Sequence, residues 1–142
     1  MGDEGITISG DHNVVNDCVV DDCVGDGIQV IGALGCSIIG NQIMNHGDSG
    51  LYFLSATKCL VQGNYFFSNG DNNTNGDGIQ LDGTSHNNCI NGNVLHTNDG
   101  YGVDIQSGAQ KNIVVGNHVL NNEDGQVSDA GTSSVVANNV TA

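Results

Sequence analysis

The sequence predicts an all-β solenoid of about six turns, filling one domain over residues 1–142. Three observations predict it. Glycines that open a G-apolar-x-apolar segment stand at 5, 27, 50, 78, 102 and 125, so the steps between them are 22, 23, 28, 24 and 23 residues. Each period holds two short segments in which apolar and polar residues alternate with β-branched enrichment, the pattern of half-buried strands, and no run keeps helical spacing. The second segment repeats the form apolar-x-Gly-Asn-x-apolar, as "IIGNQI", "VQGNYF", "INGNVL", "VVGNHV" and "VVANNV". A period of this length cannot bury its own apolar side, but turns stacked at a strand spacing of about 4.8 Å bury it against one another.

Taken in chain order, the first segment of each turn places Ile6/Ile8, Ile28/Val30, Leu51/Phe53, Ile79/Leu81 and Val103/Ile105 inward. Its outward residues form one row of Thr7, Gln29, Tyr52, Gln80 and Asp104. A second row nearer the strand ends holds Ser9, Ile31, Leu54, Asp82 and Gln106. In the second segment the Gly-Asn pair predicts a corner, with Asn41, Asn64, Asn93, Asn117 and Asn138 stacked turn on turn and Asp17 in the matching place on the first. An amide both donates and accepts, so such a stack satisfies polar groups that a corner would otherwise bury alone. Cys36 and Cys59 each follow their opening glycine by nine residues and should stack too. Reduced sulfurs are expected there, because neighbouring parallel strands seldom offer disulfide geometry.

The "G-I-x-L…N-x-x-I-x-G-N-x-I" turn resembles the right-handed parallel β-helix repeat of the pectate-lyase-like superfamily, from Gly5 to about Val140. That superfamily holds polysaccharide lyases and hydrolases, alginate epimerases, sugar-binding-type repeats and phage tailspikes. The resemblance implies a right-handed parallel β-helix associated with carbohydrate, in an extracellular or virion setting. It also implies a working groove on the outer face of one parallel sheet. Fold does not fix activity. A non-catalytic polysaccharide-binding module, a structural element such as a spike shaft or filament subunit, and a glycoside hydrolase or lyase-like enzyme all stay open.

Composition narrows the partners. The formal net charge is −14, Lys58 and Lys111 are the only strong cations and there is no Arg, so neither nucleic acid nor an anionic membrane surface is an expected partner. No apolar stretch reaches bilayer length and no hydrophobic leader follows Met1, which leaves a cytosolic protein or one whose signal has been removed. Five cysteines without C-x-x-C spacing argue against a zinc site and against a complete disulfide framework. Unpaired strand edges at the two ends of a coil invite homo-oligomers, unless the chain is part of something longer.

Two candidate sites follow. Tyr52, Gln80, Asp82 and Asp104 should lie together as a ligand-binding group, since an aromatic ring beside amides and carboxylates suits the apolar faces and hydroxyl rim of a sugar. Asp82 and Asp104, on neighbouring turns, are also the candidates for a hydrolytic carboxylate pair. The 28-residue period contains "DNNTNGD", whose Asp71, Asn73, Asn75 and Asp77 alternate as calcium ligands do. Calcium is therefore the one cofactor expected. An EF-hand is excluded, because Gly78 stands where its apolar anchor belongs and Asp82 lies beyond a strand. His96 and His118 point outward on adjacent turns but offset, while His12, His46 and His86 are read as loop residues.

Overall fold

A computed structural model describes residues 3–71 and 76–141. Among these residues there are eighteen strands and no helix, arranged as three six-stranded parallel sheets. Sheet A collects Ile6–Ile8, Ile28–Ile31, Leu51–Leu54, Ile79–Leu81, Tyr101–Ile105 and Gly125–Asp129. Sheet B runs through Val14–Asn16, Ser37–Ile39, Leu60–Gln62, Cys89–Asn91, Ile113–Val115 and Val135–Ala137. Sheet C follows with Val19–Asp21, Gln42–Met44, Tyr65–Phe67, Val94–His96, His118–Leu120 and Val140–Thr141. Each turn contributes one strand to each sheet, so the chain is a parallel β-solenoid of six turns.

The second sequence segment is thus two strands rather than one, divided at the Gly-Asn pair. Gly40, Gly63, Gly92 and Gly116 all sit at φ between +61° and +69° (68°, 66°, 62° and 66°). That left-handed conformation carries no steric penalty in glycine and turns the chain from sheet B into sheet C within two residues. A second glycine column answers a different need. A Cβ on Gly78 would lie 2.6 Å from the carbonyl oxygen of Gly102, so the turn-opening positions need glycine for close approach of successive turns.

Alternation along each strand sends one side chain per pair into a shared core. Sheet A supplies Ile28, Val30, Leu51, Phe53, Ile79 and Leu81, and these meet Ile38, Val61 and Ile90 from sheet B and Ile43, Phe66 and Leu95 from sheet C, all fully buried. At roughly 1.5–3 kcal/mol for each large side chain removed from water, this column is the main stabilising term.

The corners are stitched by amides. Asn41 donates through its backbone N–H and its Nδ2 to Asn64 Oδ1, at 2.9 Å each. The same pair of bonds runs from Asn64 to Asn93, from Asn93 to Asn117 and from Asn117 to Asn139. Two expected members are therefore displaced by one residue. In "VVANNV" the ladder residue is Asn139, while Asn138 takes the left-handed place of the glycine at φ 54°. On the first turn Asp17 is likewise the left-handed residue, and it is the Cys18 N–H that donates to Asn41 Oδ1.

Two further ladders were not anticipated. One runs through His46, Asn69, Asn98 and Asn122. His46 lies between strands, as a loop residue does, but at a fully buried corner; it accepts the Cys23 N–H at Nδ1, and burial lowers its pKa. The other runs from Cys59 through Asn88 and Asn112 to Ser134. Here Cys36 and Cys59 stack as unbridged thiols. Each Sγ donates to a carbonyl 26 residues earlier, Gly10 and Ala33 respectively, the same separation at which Asn41 and Asn64 donate through Nδ2. The thiols thus occupy the amide's place with a weaker donor.

At the last turn the core is uncovered. Val127 and Val136 border a concavity of about 350 Å³ with Asn139 and Thr141, and Val136 is 39% exposed although its partner Val114 is fully buried.

Candidate functional site

The outer face of sheet A carries the residues singled out from the sequence, and strand register brings them together. Gln29 pairs with Tyr52, Tyr52 with Gln80 and Gln80 with Asp104. All four are half-buried, as expected of side chains that stand on a strand surface and lean on one another. The row extends to Thr7 on one side and Ser128 on the other. Ile31 and Leu54 pair in the second row, and Asp82 continues it by donating its N–H to the Phe53 carbonyl.

Asp82 is held by its surroundings. Its Oδ1 accepts from the backbone N–H of Ser55 at 3.1 Å, the backbone N–H of Thr84 at 3.1 Å and the Ser85 hydroxyl at 3.0 Å, and the Thr84 hydroxyl lies within reach of both oxygens. Burial alone would push its pKa up. The donors from Ser55, Thr84 and Ser85 outweigh that and hold the carboxyl below the usual range. Asp82 is thus an ionised turn organiser that ties one turn to the next. Beside it, partial burial and the charges of Asp82 and Asp26 push the Tyr52 phenol up, so the ring keeps its O–H as a donor.

A second column borders the same sheet at its entry. Asp26, Ser49, Asp77 and Tyr101 each precede a turn-opening glycine. The Ser49 N–H donates to Asp26 Oδ1 at 3.0 Å, the Asp77 N–H donates to Ser49 Oγ at 3.1 Å, and the Tyr101 N–H donates to Asp77 Oδ1 at 2.6 Å. Gln29 of the outer row donates to Asp26 Oδ2, linking column and row. Both carboxyls are buried. Burial, with Asp104 and Asp124 nearby, raises Asp77 to about 7 despite the Tyr101 bond. Burial raises Asp26 to about 6, helped by Asp48 and Glu4 and opposed by Ser49 and Gln29. The signal in the sequence was the residue before each opening glycine.

This bears on the insert. Asn73 and Asn75 lie outside the described residues. Asp71 is exposed, whereas Asp77 is buried with one oxygen committed to Tyr101. Among the described residues no three His, Cys, Asp or Glu side chains converge as a metal site requires. The two lysines share a corner column two turns apart, Lys58 and Lys111 at φ 55° and 56°, with Asn87 between them. Both are exposed where sheet A passes into sheet B.

One group escaped the sequence reading. On the outer face of sheet C, Tyr65 and Phe67 stack at 6.0 Å between ring centroids, and His96 packs against both. The imidazole joins Tyr65 Oη at Nε2 and Thr97 Oγ1 at Nδ1. Burial and the proximity of His118 lower its pKa.

The family model described as the right-handed beta helix region matches residues 1–141. The chain belongs to this right-handed β-helix family. As a β-helix it is similar to the periplasmic alginate epimerase AlgG, at 19% identity and a TM-score of 0.84, over 98% of this chain and 36% of that one. It is also similar to the enzymatically active domain of tailspike protein 2 of bacteriophage CBA120, at 17% identity and a TM-score of 0.67, over 96% of this chain and 22% of that one. The chain therefore spans about a third of the length of the first of these structures and about a fifth of the second. At such identities the likeness speaks for the fold. No curated protein matches the sequence.

Proposed function

We propose that this β-helix is a carbohydrate-binding module that takes a polysaccharide across the outer face of sheet A and is non-catalytic as an isolated chain. The observation that carries the reading is the row Gln29–Tyr52–Gln80–Asp104, fixed in register on four consecutive turns. Its members repeat every turn, about 4.8 Å apart, so the row presents an aromatic ring flanked by amides and ended by a carboxylate. A sugar ring lies on the aromatic face while its hydroxyls bond the amides and Asp104. The similarity of the fold to an alginate epimerase and to a tailspike's enzymatically active domain agrees with a carbohydrate ligand.

Charge selects the class of sugar. Asp82 and Asp104 stand on the face, whereas Lys58 and Lys111 are confined to one corner. A uronate chain meets repulsion across most of this surface, so a neutral polysaccharide fits better. Catalysis is disfavoured by the carboxyls themselves. Hydrolysis needs one carboxyl that holds a proton and one that does not. Asp82 is held below the usual range, and Asp77, which holds a proton near neutrality, is 3% exposed and bonded to a backbone N–H.

The test is a panel of neutral and uronic-acid oligosaccharides, probed with and without calcium against the wild type and Tyr52→Ala. Binding to neutral members, weakened about 10-fold or more, or about 1.4 kcal/mol, in Tyr52→Ala at unchanged melting temperature, supports the face assignment. Equal binding by the variant removes it. Binding confined to uronates and lost with chelator replaces the neutral class by a calcium-bridged one.

A further inference from the structure

We infer that the side of the coil formed by sheets B and C is an interface with a second copy of this chain. From the second turn onward, strong charges are segregated. The stretches "SIIGNQIM" (37–44), "LVQGNYFF" (60–67), "CINGNVLH" (89–96) and "IVVGNHVL" (113–120) contain no Asp, Glu, Lys or Arg, and neither does 135–141. These are the strands of sheets B and C and the corner between them. Every Asp, Glu and Lys after residue 27 lies instead on sheet A or on the connections that join it to its neighbours. In a chain of net charge −14 this leaves five turns of that side uncharged, with Asp17 and Asp21 of the first turn at its end.

That side carries outward apolar residues on every turn, interspersed with the uncharged polar Gln42, Gln62 and His118. Leu60, Cys89 and Ile113 share one outward row of sheet B, and Ile113 is 40% exposed although strands flank it on both sides. On sheet C the rows carry Tyr65 with Val94 and Phe67 with His96. The corner joining them is smooth, because a Cβ on Gly63, Gly92 or Gly116 would meet nothing within 4 Å and none is there. Of the two imidazoles on the face, His96 is already satisfied, bonded at both nitrogens to Tyr65 and Thr97, while His118 is exposed. Covering His96 therefore orphans neither of its ring nitrogens.

Charge and area together point to a second copy as the occupant. Two chains of −14 repel in every arrangement that opposes their acidic sides. Only the uncharged sides approach without that cost, and a two-fold pairing then turns both sheet A faces outward. Five turns at about 4.8 Å give a length of roughly 24 Å. With about 20 Å of width across the corner, the pair buries on the order of 1,000 Å² in all, the lower bound for a specific interface. The inference does not rest on the glycan reading.

Sedimentation equilibrium of the full chain over a range of concentrations tests it. A mass rising toward twice 14.6 kDa is expected, more readily as salt screens the acidic sides. Val94→Glu and Phe67→Glu are expected to weaken association at least 10-fold, while Gln106→Glu on sheet A leaves it intact. Hydrogen exchange on the wild type is the second measurement: protection of 60–67 and 89–96 should rise with concentration. A single 14.6 kDa species at every concentration, association unaffected by both glutamates, or concentration-dependent protection confined to the terminal strands would each overturn the proposal.

Discussion

The two sides of this coil share one core and one set of corners, yet their outer surfaces obey different rules. On sheet A the outward positions are Gln29, Tyr52, Gln80 and Asp104, polar groups in register, and buried carboxyls line the sheet's entry. On sheets B and C the outward positions include Leu60, Ile113, Tyr65, Val94 and Phe67 beside the uncharged Gln42, Gln62 and His118, without a single strong charge past the second turn's opening. The difference teaches that alternation specifies only what points inward. What points outward is free to vary by side, and here it divides the surface into a polar, acidic side and an uncharged, more apolar one.

The comparison breaks first if the shared frame breaks. Asn93 donates to the Val61 carbonyl and to Asn117 and accepts two bonds from Asn64, all in the buried corner between sheets B and C. Asn93→Ala leaves several buried groups unpaired at about 1–3 kcal/mol each. Destabilisation of at least ~4 kcal/mol by urea titration, or failure to fold, is expected; a loss below ~1 kcal/mol would sink the ladder account.

Asp77 sharpens the acidic side. Unfolded, its carboxyl ionises near 3.8; folded, it keeps its proton up to about 7. The raised value means that its contribution to stability is present in acid and lost as pH rises through 7. His46 and His96 shift the opposite way and Asp26 the same way, and all three reach into the interval from pH 8 down to 6.5, so Asp77 is read from the difference in urea unfolding between the wild type and Asp77→Asn. Asp77→Asn, which keeps the acceptor for Tyr101, should exceed the wild type at pH 8 by on the order of 2 kcal/mol, and that advantage should shrink as pH falls to 6.5. An advantage independent of pH there would show that burial does not hold the proton.

Smaller effects test the smooth corner. Gly92→Ala places a Cβ in open space at φ 62°, so only the left-handed conformation is penalised, by about 1 kcal/mol. Gly92→Asn should cost less, as Asn138 already adopts that conformation in the same column. Equal losses would mean that the corner, not the residue's backbone preference, sets the energy. The least effect is expected from calcium. With Asp77 committed to Tyr101, adding the ion should move the melting temperature by no more than a degree or two. A larger rise would give the insert a metal.

Much of the frame was legible because its causes are periodic. The 23-residue spacing located the outward row of sheet A correctly, since a strand's period of two leaves no freedom once Ile28, Leu51 and Ile79 must point inward. The Gly-Asn corner was legible for the same reason. Its two sister ladders were not, because they begin with His46 or with Cys36 and Cys59, residues that do not look like asparagine until their hydrogen bonds are seen. "VVANNV" misled by offering two asparagines where one is the left-handed residue. Asp77 was read from its neighbours in "DNNTNGD" as a candidate calcium ligand, and that reading did not use its place before an opening glycine, which puts it in a buried column. Asp82 was legible as outward but not as saturated, since its donors come from Ser55, a turn away, and from its own loop.

The central claim is that the two sides are functionally distinct, and oligosaccharide binding by Tyr52→Ala and Phe67→Ala compared side by side tests it most directly. Binding to neutral oligosaccharides should be lost in Tyr52→Ala and retained in Phe67→Ala. Retention in Tyr52→Ala, or equal loss in both, would contradict it.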